Sequence, residues 1–96
     1  MLTYQVKIKI EPAVEKEWLH WMKTIHVPDV VATGLIRSFQ ILKPSGEDQL
    51  YLFHYHFNSI EDYHQYREQF APKLKAHPQQ KFPNQFKVER DLLHWI

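Results

Sequence analysis

The 96-residue chain contains no cysteine, and this absence excludes disulfide bonds, thiolate metal sites and catalysis by a thiol. It also lacks an excess of either charge, because twelve basic and eleven acidic side chains leave a formal net charge of +1. A balance of this kind argues against a broad electrostatic surface for nucleic acid or for an acidic membrane. We therefore expect neither nucleic acid nor membrane as a partner.

Long apolar runs are missing too. The first ten residues alternate polar and apolar side chains, so the chain shows no signal peptide and no membrane-spanning segment, and a cytoplasmic location is the default expectation. No phosphate-binding loop and no nucleophile–base set is visible. The length suffices for one domain, residues 1–96, and 44% hydrophobic with 24% charged residues is typical of a globular protein.

The spacing of apolar residues predicts the order β-α-β-β-α-β. Residues 4–10 alternate as a strand, and an apolar stripe at helical spacing then follows: Trp18, Trp21, Met22 and Ile25. Pro28 predicts that no unbroken helix passes Val27, that residues 29–33 form at most a short extra turn, and that Gly34 ends it. Strands are predicted over 35–43 and 49–57. A second helix, begun by Ser59, is expected to kink at Pro72 and to end at Pro78, and a last strand follows.

This order is the ferredoxin-like arrangement, an α+β fold with a four-stranded antiparallel sheet and two helices on one face. The third strand carries aromatic rings on one side and His54 and His56 on the other. Burying the rings avoids placing two imidazoles beneath the helices without polar partners. The opposite face then mixes leucines with polar groups, and such a face favours pairing with a second copy. We therefore predict a homodimer.

His54 and His56 provide the clearest chemical signal, because residues i and i+2 of a strand point the same way. A metal would need a third ligand such as Glu89 or His26, so we predict no metal site and no cofactor. Acid–base chemistry is the other interpretation, with Gln5 or Ser38 binding a substrate and Glu89 orienting His54. Glu89 is better explained as a cross-strand partner of Lys7.

His26 has two interpretations at the predicted end of the first helix. Its ring can donate a hydrogen bond to the last carbonyl groups of the helix, as a C-terminal cap. The functional alternative makes it a gate beside the ligand cavity. Capping is the favoured interpretation.

Two binding modules share this topology and are disfavoured. An RNA-recognition domain stacks bases on exposed sheet aromatics, but its glycine-containing motif is missing around residues 49–55. A small-molecule regulatory domain of similar topology turns on glycine after the first strand, where this chain has residues 11–13, Glu-Pro-Ala.

Several runs resemble a bacterial family of short uncharacterised proteins, a domain of unknown function: residues 17–22, 26–28, 32–35, 71–74 and 82–86. The resemblance implies a ferredoxin-like fold assembled as a dimeric α+β barrel. His26-Val27-Pro28 is also similar to an element of other dimeric α+β barrels, among them monooxygenases, isomerases and degradative enzymes. So short an element carries no catalytic residue over to this chain.

Two functions from different classes stay open. In the first, the protein binds or transforms a small molecule in a cavity on the open sheet face. The ligand-binding residues predicted for it are Gln5, Ser38, His54, His56 and His26. In the second, it is a non-catalytic interaction or regulatory module whose sheet face serves only dimerisation. Whether the protein is an enzyme is left undecided at this point.

Overall fold

The computed structural model describes residues 1–96 and contains a single antiparallel sheet of four strands. The strands are β1 (Leu2–Ile10), β2 (Ser38–Leu42), β3 (Leu50–Phe57) and β4 (Phe86–His94), in the order β2-β3-β1-β4. This order confirms the ferredoxin-like prediction. The second strand is shorter than predicted, because residues 35–37 lead into the sheet without extending β2.

The first helical arm runs on through Pro28 to Val31, where the sequence predicted a break followed by a short extra turn. A 3-10 turn (Pro12–Val14) leads into α1 (Glu15–Trp21), a π-helical segment (Met22–His26) and α2 (Val27–Val31). Proline lacks an N–H, and its ring clashes with the carbonyl group four residues earlier in a regular α-helix. The wider π turn, in which the Val27 N–H bonds to Met22 O, accommodates Pro28 near the start of α2. Gly34, with φ +79°, then ends the arm as expected.

The π segment also changes which side chains face the sheet. The buried residues of the arm are Trp18, Met22, Val27 and Val30, and Met22 and Val27 are five positions apart. A regular α-helix would have continued the stripe through Ile25. Ile25 is instead 47% exposed, so the predicted stripe ends at Met22 and is taken up again by Val27.

The second helical arm comprises α3 (Ile60–Gln69) and α4 (Ala71–Lys81), interrupted at Phe70 close to the predicted kink. Ser59 Oγ accepts a hydrogen bond from the Asp62 N–H at 3.2 Å, as the capping sequence predicts. The predicted stop at Pro78 is wrong. Pro78 lies buried inside α4, which continues to Lys81.

The core lies between the sheet and the two helical arms. The aromatic side chains of β3 are all buried there, as predicted: Tyr51, Phe53, Tyr55 and Phe57. The fully buried Trp18 packs against the rings of Tyr51 and Phe53, with centroids 5.2 and 5.8 Å away. None of the helices combines the length and apolar character that a membrane crossing requires.

Candidate functional site

The open face, defined as the sheet surface opposite the helical arms, collects four of the five predicted site residues. Strand register places Gln5 of β1 opposite His54 of β3, and Ser38 of β2 opposite His56. His26 does not join them, because the first helical arm holds it on the other side of the sheet. The predicted set is therefore divided between two places.

On the open face, a chain of hydrogen bonds runs across the sheet through His56. Trp95 Nε1 donates to Thr3 Oγ1 at 2.7 Å, and Thr3 Oγ1 lies 2.8 Å from His56 Nδ1. His56 Nε2 is hydrogen-bonded to Gln40 Oε1. Since the Gln40 oxygen only accepts, Nε2 carries the proton, and the Thr3 hydroxyl donates to Nδ1. All four groups then point their hydrogen bonds in one direction.

Trp95 covers this network and explains its burial. The indole packs edge-on against His56, with ring centroids 5.7 Å apart. Thr3 and His56 are only 4% and 7% exposed, although they lie on the face that the helices leave uncovered. Trp95 itself stays 57% exposed.

His54 lies beside this network, with its ring centroid 6.3 Å from that of His56. Its Nε2 lies 2.9 Å from Gln5 Oε1 and donates to that oxygen. Burial, together with the neighbouring His56, lowers the pKa of His54. Both histidines thus have their Nε2 atoms committed to glutamine side chains.

Neither residue named as a third metal ligand approaches the two histidines. Glu89 lies opposite Lys7, the pairing favoured from the sequence, and Asp91 occupies the row of Gln5 and His54 instead. No group of three or more histidine, aspartate or glutamate side chains in the chain is arranged to hold a metal ion.

A second candidate site is a narrow gap within the core packing, which we call the cleft; residues of the sheet and of both helical arms line it. Apolar side chains line most of it, and the room inside for water-sized groups is about 40 Å³. That volume holds a small number of water molecules. Its polar lining comprises Tyr4, His26, Tyr55, Tyr66, Lys75 and Arg90.

His26 is the least satisfied polar residue of the cleft. The π segment turns it inward, where its ring stacks on Trp21 with a centroid distance of 5.8 Å. Nδ1 is buried and has no hydrogen-bond partner, and the helix continues past His26, so the capping interpretation is wrong. Burial, helped by His77 and opposed by Asp29, lowers the pKa of His26 to about 4. The imidazole is therefore uncharged at neutral pH.

The other polar groups of the cleft are hydrogen-bond donors at neutral pH. Burial raises the pKa values of Tyr4, Tyr55 and Tyr66, which keeps these phenols protonated. The charges acting on Lys75 are two further cations, Arg90 and Arg67. They add to the effect of burial in lowering the pKa of Lys75.

Sequence reasoning missed Thr3, Trp95 and the whole cleft. Thr3 continues the alternation of β1 toward the N-terminus, and with antiparallel pairing this puts it opposite His56. That signal was available in the sequence. The cleft could not be predicted, because the position of His26 depends on a π turn that apolar periodicity does not reveal.

A family model described as a domain of unknown function, DUF4286, matches residues 1–96. No curated protein matches the chain.

Solved structures match the fold along nearly the whole chain at low identity. An uncharacterised NIPSNAP domain protein from Burkholderia xenovorans is 16% identical, with a TM-score of 0.74 and coverage of 100% of this chain and 95% of that one. A mutant of MhuD with two manganese protoporphyrin IX molecules bound per active site is 15% identical (TM-score 0.73, coverage 100% and 95%). SnoaB, a cofactor-independent oxygenase from Streptomyces nogalater, is 10% identical (TM-score 0.70, coverage 99% and 92%).

Proposed function

The chain belongs to DUF4286, a family of domains of unknown function, and we propose from its own side chains that it binds a small molecule in the cleft. The observation that carries this proposal is His26. Its Nδ1 is buried without a partner, in a residue that lines an otherwise mostly apolar space. A few well-placed polar groups within apolar walls are typical of ligand sites.

An unpaired buried nitrogen is expensive to keep. Leaving a buried donor or acceptor unsatisfied costs roughly 1–3 kcal/mol, a sizeable part of the stability of a small domain. A ligand that hydrogen-bonds to His26 recovers this free energy upon binding. With a pKa of about 4, His26 is a weak base at neutral pH, so its role in this proposal is to hydrogen-bond the ligand.

The structural neighbours support a binding role for this fold. One of them holds manganese protoporphyrin IX and another is an oxygenase, so the same arrangement of sheet and helices accommodates small molecules in other proteins. In this chain, a ligand larger than a few waters requires α4 and β4 to move apart, because the cleft is narrow.

The test uses N-phenyl-1-naphthylamine, an uncharged aromatic probe whose fluorescence rises in apolar surroundings. We expect saturable binding to the native protein and to His20→Ala, a matched control on the exposed side of α1. His26→Ala should alter the dissociation constant by at least about fivefold, since the change both enlarges the cleft and removes the polar group that faces it. Absence of binding, or identical binding by His26→Ala, would overturn the proposal.

We also propose that two copies pair through the open face, as the dimeric α+β barrel predicted from the sequence. Large apolar side chains on this face are exposed in the single chain: Leu42 at 41%, Leu93 at 43% and Trp95 at 57%. Apolar exposure next to polar groups is typical of a face that another protein surface covers. The space between the two sheets would then be lined by the residues that the sequence predicts to bind a ligand there: Gln5, Ser38, His54 and His56.

The two locations of the ligand are distinguishable. If a ligand binds between the paired sheets, His54→Ala should abolish the rise in melting temperature that it produces and His26→Ala should preserve it. Cleft binding gives the opposite result. If the open face serves only dimerisation, His54→Ala changes nothing except the stability of the dimer.

A further inference from the structure

The polar groups of the cleft share one property that indicates what kind of ligand fits it. All of them can donate a hydrogen bond, and two of them, Lys75 and Arg90, carry a positive charge. No carboxylate, carboxamide or aliphatic hydroxyl lines the cleft. The tyrosine hydroxyls and the uncharged His26 ring can also accept hydrogen bonds, but no group of this lining carries the negative charge that would compensate Lys75 and Arg90.

Building on the proposed function, we propose that the ligand is an organic anion with an apolar aromatic body, whose acidic group lies between Lys75 and Arg90. Once α4 and β4 move apart, the aromatic body would pack against the apolar walls, which include Phe53, Phe86 and Val88. The anionic group supplies the negative charge that the lining of the cleft lacks. Hydrogen bonds between charged groups and oxyanions are the strong ones, and arginine binds carboxylates in a two-point fashion.

The arrangement of charges supports this assignment. Lys75 on α4 and Arg90 on β4 lie on the two elements that border the cleft, so an anion between them would join helix to sheet. Burial and the charge of Arg90 both lower the pKa of Lys75, and no carboxylate among the lining residues compensates the two cations. Like charges held together destabilise each other, and an anion removes that repulsion.

The side chains deeper in the cleft fit the same ligand class. His26 is uncharged, and the phenols of Tyr4 and Tyr66 are protonated. Uncharged polar groups can bond to hydroxyl or carbonyl oxygens on an aromatic ring. The cleft thus combines two cations with an uncharged, mostly apolar interior.

The experiment compares two probes that differ by one sulfonate. 8-Anilinonaphthalene-1-sulfonate is N-phenyl-1-naphthylamine with an acidic group, and both are measured by fluorescence titration. We expect the sulfonate to bind the native protein at least about tenfold tighter. Lys75→Gln and Arg90→Gln should each remove most of that difference, because they weaken binding of the sulfonate far more than binding of the uncharged probe.

Two variants control for charge and for folding. Lys73→Gln removes the same charge from an exposed position of α4 outside the cleft, and it should bind both probes as the native protein does. Arg90→Lys keeps the charge and should restore part of the preference. Two results would overturn the anion proposal and leave the cleft as an uncharged site. The first is equal affinity of the native protein for both probes. The second is a loss of preference for the sulfonate in Lys73→Gln as large as that in Lys75→Gln. Failure of both probes to bind would overturn the proposed function itself.

Discussion

The imidazole of His26 is held uncharged by its surroundings, and this links the stability of the fold to pH. Its pKa is about 4 in the folded protein, against an ordinary value of 6.5. Between these two values the unfolded chain binds more protons than the folded one, so acid favours unfolding. The contribution of His26 is present in full above pH 6.5 and is lost as the pH falls toward 4.

We expect the free energy of unfolding to fall by up to about 3 kcal/mol between pH 6.5 and 4 because of this residue. In His26→Gln, which cannot titrate, that part of the slope should be missing. Urea unfolding of both proteins across the range measures the difference. A parallel NMR titration locates the ring midpoint, and a midpoint near 6.5 would contradict the prediction.

Thr3 connects two groups through a single side chain, since its hydroxyl is hydrogen-bonded to both Trp95 and His56. Replacing it by valine keeps the shape of the side chain and removes both hydrogen bonds, leaving the buried His56 Nδ1 without a partner. We expect Thr3→Val to lose roughly 1–3 kcal/mol of unfolding free energy in urea titrations.

Thr3→Ser retains the hydroxyl and is the matched control for this prediction. Thr3→Ser should lose less unfolding free energy than Thr3→Val, because only a methyl group is removed. Equal stability of the two variants would show that the hydrogen-bond chain contributes nothing.

At the scale of elements, most of the fold could be predicted because alternation and helical spacing are local signals. β1, β3 and their inward and outward faces follow from residue types alone, and so does the side of the sheet that the aromatic rings occupy. Four of the five predicted site residues share the open face for the same reason. What failed was the prediction that proline interrupts or ends a helix, at Pro28 and at Pro78 alike. The π turn accommodates the exposed Pro28, whereas Pro78 is buried inside α4.

The start of α3 gives an element-scale prediction. Ser59→Ala removes the acceptor for the Asp62 N–H and should lower the free energy of unfolding by about 1 kcal/mol. In a domain of this size that corresponds to roughly 4–8 °C in melting temperature, measurable by circular dichroism. Ser59→Asp keeps an acceptor oxygen and should melt close to the native protein. Equal melting of both variants would rule out the cap as a stabilising contact.

At the scale of the whole molecule, the open face decides how many chains assemble. If two copies pair there, light scattering should give twice the 11.7 kDa mass of one chain. Leu93→Lys places a charge among the exposed apolar side chains of this face and should shift the mass toward the monomer. Ile25→Lys, a similarly exposed residue on the helical side, should leave the dimer intact. A native protein that is monomeric at micromolar concentration would contradict the proposed pairing.

The sheet also fixes when the molecule can fold during synthesis. β1 is a central strand, and one of its two neighbours is β4, so Leu2 lies opposite His94 across almost the whole length of the chain. On the ribosome β1 can pair with β3 early, but its other edge stays open until residues 86–94 have emerged. A nascent chain exposes an unpaired strand edge throughout this time, and such edges invite pairing with other chains. Chaperone binding to the polypeptide is therefore expected to matter most just before the last strand emerges from the ribosome.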